Sequence, residues 1–489
     1  MASHPDFLDI VVPGLTSQFI GGSWIERNTG VADVISPTTE GVLAQIAEPT
    51  LEDANAAVDA ARKAFDAGPW PNMAVSERVK VCRRLCDLLE EKMDLLNRAW
   101  TFESGPSLAH GAMINGSAGV SIWRQALEVA SKLPWEEERD GALIWREPIG
   151  TVLGVLTFNG PIVLMGMKII PALLAGCAVI IKHAPESSLT SRLIAETILE
   201  ADFPPGVVSV LAAGPEVSQH LVAHSGIDMI ALTGGTQIGI DVIKKSADRL
   251  ARTALELGGK SPAIIDDDAD IDKVIETLGP GSTGYMGQVC VNLSRVIAPR
   301  HRYNEIVDAL ADYYNSIQVG DPFDESIDQG PLAAARARDR AEKYVDIAKK
   351  EGASIVTGGI RPAHLDRGWF YSPTLLADVT NDMTVAQEEI FGPITAVIAY
   401  DGLDHAIRIA NDSSFGLACS VYTNDKKTAL TVARKIRSGA VAINNAGVSL
   451  TQPFGGYKKS GWGRECGPEG ILEFTQIKQV TLPPSYLDI

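Results

Sequence analysis

Residues 149–182, IGTVLGVLTFNGPIVLMGMKIIPALLAGCAVIIK, decide the fold of this chain. Their apolar pattern predicts a strand at 149–157, a helix at 164–175 and a second strand at 178–182. The segment is long enough to span a bilayer, but it also contains Asn159, Lys168 and two prolines. Because such residues are costly in lipid, the segment is better explained as buried strand, loop and helix.

The alternation of strand and helix continues on both sides of this segment. Strands that alternate with helices form mostly parallel sheets covered on both faces, so the sequence predicts an α/β fold. Two such units are expected to meet near Glu256. Residues 134–141 are polar with a turn signal and precede an alternating segment at 142–146, which predicts a hairpin arm. Further helices are predicted at 51–67, 75–100, 188–201, 216–224, 238–250, 303–317 and 333–351, and further strands at 207–212, 229–233, 295–298, 355–356, 395–398 and 440–443.

The composition narrows the class of protein. The 489 residues are 45% hydrophobic and 21% charged, which predicts a compact soluble protein. Lys and Arg total 43 against 61 Asp and Glu, a formal charge of −18, so nucleic acid and anionic membranes are disfavoured partners. The first six residues lack the pattern of a secretory signal, and a cytoplasmic protein is expected.

Six cysteines in so long a chain do not predict a disulfide framework. Only Cys290, in the run Gly287-Gln288-Val289-Cys290, has neighbours that suggest chemistry. Cys466 is assigned no role. The remaining cysteines are expected to be buried core residues, namely Cys82, Cys86, Cys177 and Cys419.

Cys290 lies 34 residues after Glu256 in the run Leu255-Glu256-Leu257-Gly258-Gly259-Lys260. A thiolate can add to a carbonyl carbon, and a carboxylate can activate water to release the resulting acyl group. Upstream, Asn159 offers a neutral donor for a developing oxyanion. Together the three residues suggest acyl chemistry at a carbonyl carbon.

These three segments, in this order, resemble the aldehyde dehydrogenase superfamily, and the similarity extends from about residue 19 to residue 480. The resemblance implies two doubly wound parallel-sheet domains and a small β arm. A Rossmann-variant cofactor domain is expected at 1–127 and 148–256, and a catalytic domain at 257–467. Residues 128–147 and 468–489 are expected to form the oligomerisation arm and the C-terminal tail.

The resemblance also implies a hydrolytic, NAD(P)-dependent oxidation of an aldehyde to a carboxylic acid. In this expectation Cys290 attacks the aldehyde, and Asn159 with the Cys290 backbone N–H holds the oxyanion. Hydride passes to nicotinamide, and Glu256 activates the water that hydrolyses the thioester. A CoA-acylating semialdehyde dehydrogenase is the alternative, but it would not need Glu256 as a base. A non-catalytic protein would not be expected to retain Cys290.

The cofactor signals are unusual. No G-x-G-x-x-G follows a strand, and the Walker A pattern fails at Ala254. The turn at 233–239 lies between a strand and a helix, where glycines let backbone N–H groups approach a pyrophosphate. Pro185 stands where many relatives carry a Glu that would repel a 2′-phosphate, and Glu186 follows it, so the choice between NAD and NADP stays open although NAD is favoured. The residues expected at the cofactor are Thr157, Phe158, Lys182, Gly214, Gly235, Thr236, Ile238, Gly239, Leu257, Glu389 and Phe391.

Lys168 and Glu465 match a proton path proposed in the family, although a buried lysine could equally have a structural partner. The acidic run at 266–270 lacks EF-hand spacing, and no metal site is expected. By resemblance the protein should form a homodimer or homotetramer. The arm at 134–146 and the alternating tail at 477–482 could each extend a neighbour's sheet or could pack on their own subunit.

Substrate choice is suggested by Gly160, which stands where many relatives carry an aromatic ring, and by Met167, which also replaces a common aromatic residue. These changes predict a wide, apolar tunnel for a bulky or long apolar aldehyde. The residues expected to line it are Gly160, Val163, Leu164, Met167, Val289, Val291 and Phe454.

Overall fold

The computed structural model of the chain describes residues 9–27, 30–483 and 486. The first six residues, for which no secretory signal was predicted, lie outside this part of the chain. So do the outermost residues of the predicted first domain and of the predicted tail. The strands, in chain order, are β1 Ser17–Ile20, β2 Ser23–Glu26, β3 Val31–Ile35, β4 Val42–Ala47, β5 Glu136–Arg139, β6 Ala142–Pro148, β7 Thr151–Val155, β8 Ala178–His183, β9 Val208–Ala212, β10 Met229–Thr233, β11 Arg252–Glu256, β12 Pro262–Ile265, β13 Arg295–Pro299, β14 Ser354–Thr357, β15 Thr374–Ala377, β16 Ile394–Tyr400, β17 Ala418–Tyr422, β18 Ala440–Ile443, β19 Gly461–Trp462 and β20 Thr475–Thr481.

The α-helices cover both large sheets and leave the strand ends open. In chain order they are α1 Leu51–Ala67, α2 Val75–Glu91, α3 Met93–Ser104, α4 Leu108–Gly111, α5 Val120–Ala130, α6 Pro161–Leu164, α7 Ile170–Ala175, α8 Ser188–Glu200, α9 Pro215–Ala223, α10 Thr236–Ala247, α11 Ile271–Thr283, α12 Tyr303–Ser316, α13 Ala335–Glu351, α14 Thr384–Gln387, α15 Leu403–Asn411, α16 Lys426–Lys435 and α17 Gly467–Leu472. Single turns of 3₁₀-helix cover Trp70–Asn72, Pro185–Ser187, Gly284–Gly287, Arg300–Arg302 and Lys458–Ser460, and π-helical turns cover Ala112–Gly119 and Met165–Ile169.

The first large sheet has eight strands in the order β19-β11-β10-β7-β8-β9-β1-β2. Its five central strands, β11 to β9 in that order, are parallel and consist mainly of buried residues. Along the chain, β7 is followed by β8 and β9 on one side of it, and β10 and β11 are then added on its other side. The gap between β7 and β10 is therefore the switch point of a doubly wound sheet. Ligands of such sheets bind beyond the carboxyl ends of the strands at this point.

The second large sheet has seven strands in the order β14-β15-β16-β13-β12-β17-β18. All neighbouring pairs are parallel except β14 with β15 at one edge. The chain passes from the first sheet to the second between β11, which ends at Glu256, and β12, which begins at Pro262. The fold is therefore α/β with two parallel-sheet units, as predicted.

One short strand returns from the second half of the chain to the first sheet. β19 pairs antiparallel with β11, with Leu255 opposite Trp462 and Glu256 opposite Gly461. A glycine is required at 461, because an added Cβ would lie 1.9 Å from the Leu255 carbonyl oxygen and its φ is +114°. This pairing was not predicted, and it brings the segment around Glu465 to the end of β11.

The predicted hairpin arm is confirmed. β5 and β6 pair antiparallel through a turn at Asp140 and Gly141, both of which have positive φ. The tail strand β20 pairs with the other edge of β6, from Thr475 opposite Pro148 to Thr481 opposite Ala142. The tail therefore packs on its own subunit along one edge.

The predicted boundaries were wrong where local geometry interrupts a helical pattern. Residues 75–100 form two helices, because α2 ends at Glu91 and Lys92 leaves helical geometry before α3 begins. Residues 164–175 widen into a π-helical turn just before Pro171, which has no N–H to donate to Met167. Such turns frequently occur at functional sites.

Candidate active site

Asn159 lies in the loop that leaves the carboxyl end of β7. The Thr157 hydroxyl donates to Asn159 Oδ1 at 2.6 Å, which fixes the amide so that Nδ2 points away from Thr157. Nδ2 then donates to the carbonyl oxygen of Gln288 at 3.0 Å. The predicted oxyanion donor is therefore in direct contact with the loop that carries Cys290.

The Cys290 loop approaches this point through a left-handed turn. Tyr285, Met286 and Gly287 have φ of +47°, +52° and +69°. At Gly287 an added Cβ would lie 2.1 Å from the Gly392 carbonyl oxygen, so only glycine fits. The Gln288 side chain accepts a hydrogen bond from the Ala333 N–H at 3.1 Å, which ties the loop to its own domain.

Cys290 differs from the other cysteines because it is half-buried, whereas all five others are buried. The four predicted as core residues are thus confirmed. Burial, followed by the charges of Glu256 and Glu389, raises the pKa of Cys290 to about 12, and Lys168 opposes this shift. In this state the sulfur carries a proton at neutral pH, so the thiol must lose that proton before it attacks a carbonyl carbon.

Glu256 ends β11 and is buried, and neither of its carboxylate oxygens accepts a hydrogen bond within the described residues. Burial, followed by the charge of Glu465, raises the pKa of Glu256 well above its usual value, while Lys168 and Arg464 partly offset this. A carboxylate with a raised pKa is a stronger base than an exposed one. Arg464 was missed in the sequence, although an arginine within a glycine-rich run is a signal that could have found it.

Lys168 lies on the π-helical turn Met165–Ile169 and forms a buried ion pair with Glu465. Glu465 is held in turn by Phe454, since the two residues exchange backbone hydrogen bonds of 2.8 Å. The two residues singled out in the sequence are therefore brought together, within the electrostatic reach of Glu256 and Cys290. Whether they carry protons stays a prediction.

The glycine turn after β10 opens helix α10. Gly235 is the N-terminal cap residue of α10, its Cβ position is open, and the first helical N–H groups point outward next to it. Gly239 allows α10 to pack on Leu257, whose Cδ1 would lie 2.6 Å from an added Cβ. Thr236 is half-buried and Ile238 is exposed at the same turn. This arrangement fits the diphosphate of a dinucleotide.

Lys182 lies near the carboxyl end of β8, the neighbour of β7. Burial lowers the pKa of Lys182 to about 8, and the nearby Glu186 carboxylate opposes the shift. Glu186 itself forms an ion pair with Arg336, at the start of α13. Gly214 caps the N-terminus of α9, beyond the carboxyl end of β9. Lys182 and Gly214 therefore lie at the carboxyl ends of β8 and β9, which are the strands next to β7 on the side away from the switch point.

Glu389 and Phe391 lie in the loop between α14 and β16. The Glu389 carboxylate accepts a hydrogen bond from the Gly259 N–H at 3.1 Å, and burial raises its pKa. The Phe391 ring lies edge-on to the Phe158 ring, with centroids 6.2 Å apart. Both predicted nicotinamide residues therefore lie beside the loops of Asn159 and Cys290.

The predicted substrate-lining residues divide into two groups. Gly160, Val163, Leu164, Met167 and Phe454 are buried, whereas Val289 and Val291 are half-buried beside Cys290. An added Cβ at Gly160 would lie 3.6 Å from Val163 Cβ and 4.0 Å from Ile114 Cγ2. Ile114 belongs to the π-helical turn Ala112–Gly119 and was missed, because a lone isoleucine gives no signal of its location.

Two further features bear on the site. Within the described part of the chain, three or more His, Cys, Asp or Glu residues nowhere form a group that could hold a metal ion. Asp270, in the acidic run, caps helix α11 through the Lys273 N–H. Across residues 9–27, 30–483 and 486, no helix combines the length and the apolarity needed to cross a membrane.

A doubly wound sheet with a glycine turn at its switch point, next to a thiol, an amide and a buried carboxylate, defines a class of dinucleotide-dependent oxidoreductase. Comparison with known proteins identifies one family. The model of the aldehyde dehydrogenase family matches residues 24–480. The chain therefore belongs to the aldehyde dehydrogenase family, and it is an NAD(P)-dependent enzyme that oxidises an aldehyde.

Relatives and solved structures agree over nearly the whole chain. The geranial dehydrogenase of Castellaniella defragrans is 38% identical over 470 residues, covering 95% of this chain and 98% of the relative. The aldehyde dehydrogenase of Mycobacterium tuberculosis, solved in complex with NAD+, is 41% identical with a TM-score of 0.94, covering 96% of this chain and 98% of its own. The betaine aldehyde dehydrogenase of Staphylococcus aureus, also with NAD+, is 33% identical with a TM-score of 0.94, covering 99% and 98%.

Proposed function

We propose that Cys290 is the nucleophile and that the enzyme releases a free carboxylic acid. The Cys290 thiol releases its proton to solvent, and the thiolate forms a bond to the aldehyde carbon, which becomes tetrahedral as the C=O π electrons move to the oxygen. The resulting oxyanion accepts hydrogen bonds from Asn159 Nδ2 and from the Cys290 backbone N–H. The observation that carries this assignment is the 3.0 Å hydrogen bond from Asn159 Nδ2 to Gln288 in the nucleophile loop.

The second half of the reaction is proposed to depend on Glu256. Loss of hydride from the tetrahedral carbon leaves a thioester on Cys290. Glu256 accepts a proton from water, the water oxygen attacks the thioester carbon, and the C–S bond breaks to give the acid and the thiolate. The raised pKa of Glu256 supports its role as the base. A CoA-acylating enzyme would have no use for this carboxylate.

NAD is the proposed cofactor, and when bound it supplies the hydride acceptor. The open N-terminus of α10 at Gly235 suits its diphosphate, Lys182 would hold the adenosine ribose, and Glu389 and Phe391 would hold the nicotinamide ribose and ring. The solved relatives from Mycobacterium tuberculosis and Staphylococcus aureus contain NAD+. Thr157, Phe158, Gly214, Thr236, Ile238, Gly239 and Leu257 complete the proposed cofactor residues.

The proposed substrate is a bulky or long apolar aldehyde. Gly160 leaves out a side chain beside Val163 and Ile114, and the neighbouring Leu164 and Met167 are apolar. A relative that is 38% identical is a geranial dehydrogenase. These observations favour an apolar substrate over one with a charged tail.

The proposed assembly is a homodimer or homotetramer formed through sheet edges. β20 and β18 are both edge strands of their sheets, and each exposes an apolar residue, Ile477 and Ile443. Unpaired edges of this kind are templates for adding a strand from another chain. We place β20 of one protomer along β18 of another. The cytoplasmic location remains a prediction from the sequence.

The function is tested with an aldehyde panel assayed with NAD and NADP in parallel, in the presence and absence of CoA. The expected product is free acid, formed faster with NAD, and Cys290→Ala should abolish NADH formation. Glu256→Gln, which keeps the shape of the side chain, should retain one turnover of NADH. Acyl-CoA as the product, or an active Cys290→Ala enzyme, would contradict the proposal.

A further inference from the structure

A group of two buried and two half-buried rings connects helix α3 to both catalytic loops. Trp100 and Tyr285 are nearly inaccessible, and their ring centroids lie 5.4 Å apart in an edge-on arrangement. Tyr285 also lies edge-on to Phe158, with centroids 6.5 Å apart, and 5.3 Å from the His110 ring. We call Trp100, His110, Phe158 and Tyr285 the aromatic bridge.

Trp100 fixes the loop of the oxyanion donor. Its indole N–H donates to the carbonyl oxygen of Phe158 at 2.7 Å, and Phe158 directly precedes Asn159. Trp100 belongs to α3, a twelve-residue helix most of whose side chains are buried. Because a buried tryptophan N–H seeks a partner, this bond fixes the backbone next to Asn159 relative to a rigid element.

Tyr285 fixes the loop of the nucleophile to the same helix. Its hydroxyl donates to the carbonyl oxygen of Ser104, the last residue of α3, at 2.8 Å. The Tyr285 carbonyl in turn accepts a hydrogen bond from the Gln288 N–H at 3.0 Å, two residues before Cys290. A last-turn carbonyl of a helix needs an external donor, and the tyrosine hydroxyl supplies one.

The backbone at this point requires external support. Tyr285 and Met286 both adopt left-handed conformations that residues with a side chain rarely take. Such conformations persist only where the surrounding contacts over-determine them. On one side, the backbone is held by the Tyr285 hydroxyl and by the contacts of the Tyr285 ring. On the other side, it is held by the Met286 N–H, which donates to Gln329 Oε1 at 3.0 Å.

We infer that Trp100 and Tyr285 are positioning residues that hold Asn159 and Cys290 at a fixed separation through helix α3. This inference rests on the proposed roles of Asn159 and Cys290. Each side chain acts through the backbone of a catalytic loop. Because a displacement of about 1 Å at reacting groups can cost a hundredfold in rate, loss of either hydrogen bond should slow formation of the thioester.

The test uses variants that delete one hydrogen-bonding group and keep a ring. Tyr285→Phe removes only the hydroxyl, and Trp100→Phe removes the indole N–H. Tyr400→Phe is the matched control for the first, because its buried hydroxyl donates to the Ile265 carbonyl oxygen at 3.0 Å at the carboxyl ends of β16 and β12, whereas the Cys290 loop precedes the parallel strand β13. Trp70→Phe is the control for the second, since Trp70 is fully buried and its N–H makes no hydrogen bond to any residue that the structure describes.

The readout is the single-turnover rate of NADH formation on the full-length enzyme, corrected for the fraction of active sites. Both test variants should slow this step by about tenfold or more, with KM for NAD within about twofold of wild type, while both controls keep the wild-type rate. On an Asn159→Ala background, Trp100→Phe should add little, because the group that it positions is gone.

A wild-type rate in Tyr285→Phe and Trp100→Phe overturns the inference, as does an equal loss in the control variants or full additivity with Asn159→Ala. If Trp100→Phe does not fold, Tyr285→Phe decides the matter, since it removes a single oxygen atom. A burst of NADH from Cys290→Ala would instead refute the proposed function. If Cys290→Ala gives no burst of NADH while Tyr285→Phe and Trp100→Phe keep the wild-type rate, only the positioning role of Trp100 and Tyr285 is refuted.

Discussion

The Lys168 ammonium and the Glu465 carboxylate form a buried ion pair beside Glu256, with Lys168 fully inaccessible and Glu465 nearly so. Removing one partner of a buried pair leaves an uncompensated charge. Lys168→Met should therefore lower the free energy of unfolding by about 3–5 kcal/mol. The double variant Lys168→Met/Glu465→Leu should recover most of that loss in urea unfolding. A double variant as unstable as the single one would show that the pair is not the cause.

The pH dependence of thioester hydrolysis should report on Glu256. Its pKa is raised, first by burial and then by the Glu465 charge. A base with a raised pKa is active above that pKa, so hydrolysis should fall as the pH is lowered through it. Glu465→Gln removes the second cause and leaves Lys168 facing Glu256, so the acid limb of kcat should move to lower pH. The measurement is the rate of acid release under conditions where hydrolysis limits turnover, and an acid limb that stays in place or moves upward contradicts the prediction.

Asn159→Ala should slow formation of the thioester about a hundredfold or more, because one oxyanion donor is lost. Rapid-mixing measurement of the NADH burst tests this. An unchanged burst rate removes Asn159 from the proposed mechanism.

Gly160→Phe should narrow the proposed tunnel. The φ of Gly160 is 170°, outside the left-handed region, and the effect expected of the ring comes from its volume. An added Cβ already contacts Val163 at 3.6 Å. The ratio of kcat/KM for decanal to that for acetaldehyde should fall about tenfold or more. An unchanged ratio would place the apolar chain elsewhere.

Ile477→Asp should weaken the proposed assembly. Ile477 is 64% exposed on β20, and a charge there opposes burial against a second chain. Light scattering after size exclusion should show a smaller species than wild type at micromolar concentration. Ile360→Asp is the matched control, since Ile360 is 63% exposed outside the strands of both proposed edges and should leave the mass unchanged.

The sequence predicted well what depends on local pattern. The strand β10 and helix α1 have the predicted bounds, because their periodicity and flanking residues act over a few positions. The motif resemblance predicted that Asn159 and Cys290 would come together, and the loops of the two residues are in contact through Gln288. In each case the signal was contained in one short run of residues.

The rest depended on contacts between distant segments. The pairing of β19 with β11 joins residues about 200 positions apart, and two residues are too few to give a strand pattern. Trp100 and Tyr285 each suggest only a buried ring, and their link to the catalytic loops exists in three dimensions alone.

β19 is synthesised about 200 residues after β11, the strand with which it pairs, and this delay has a consequence during synthesis. Until residues 461–462 have left the ribosome, the edge of β11 that carries the proposed base is an open template, and Lys168 has no counter-charge. Cys290 is made before the residues that complete the buried charge cluster. A chain that ended before residue 461 would leave this strand edge uncovered, and uncovered edges favour aggregation.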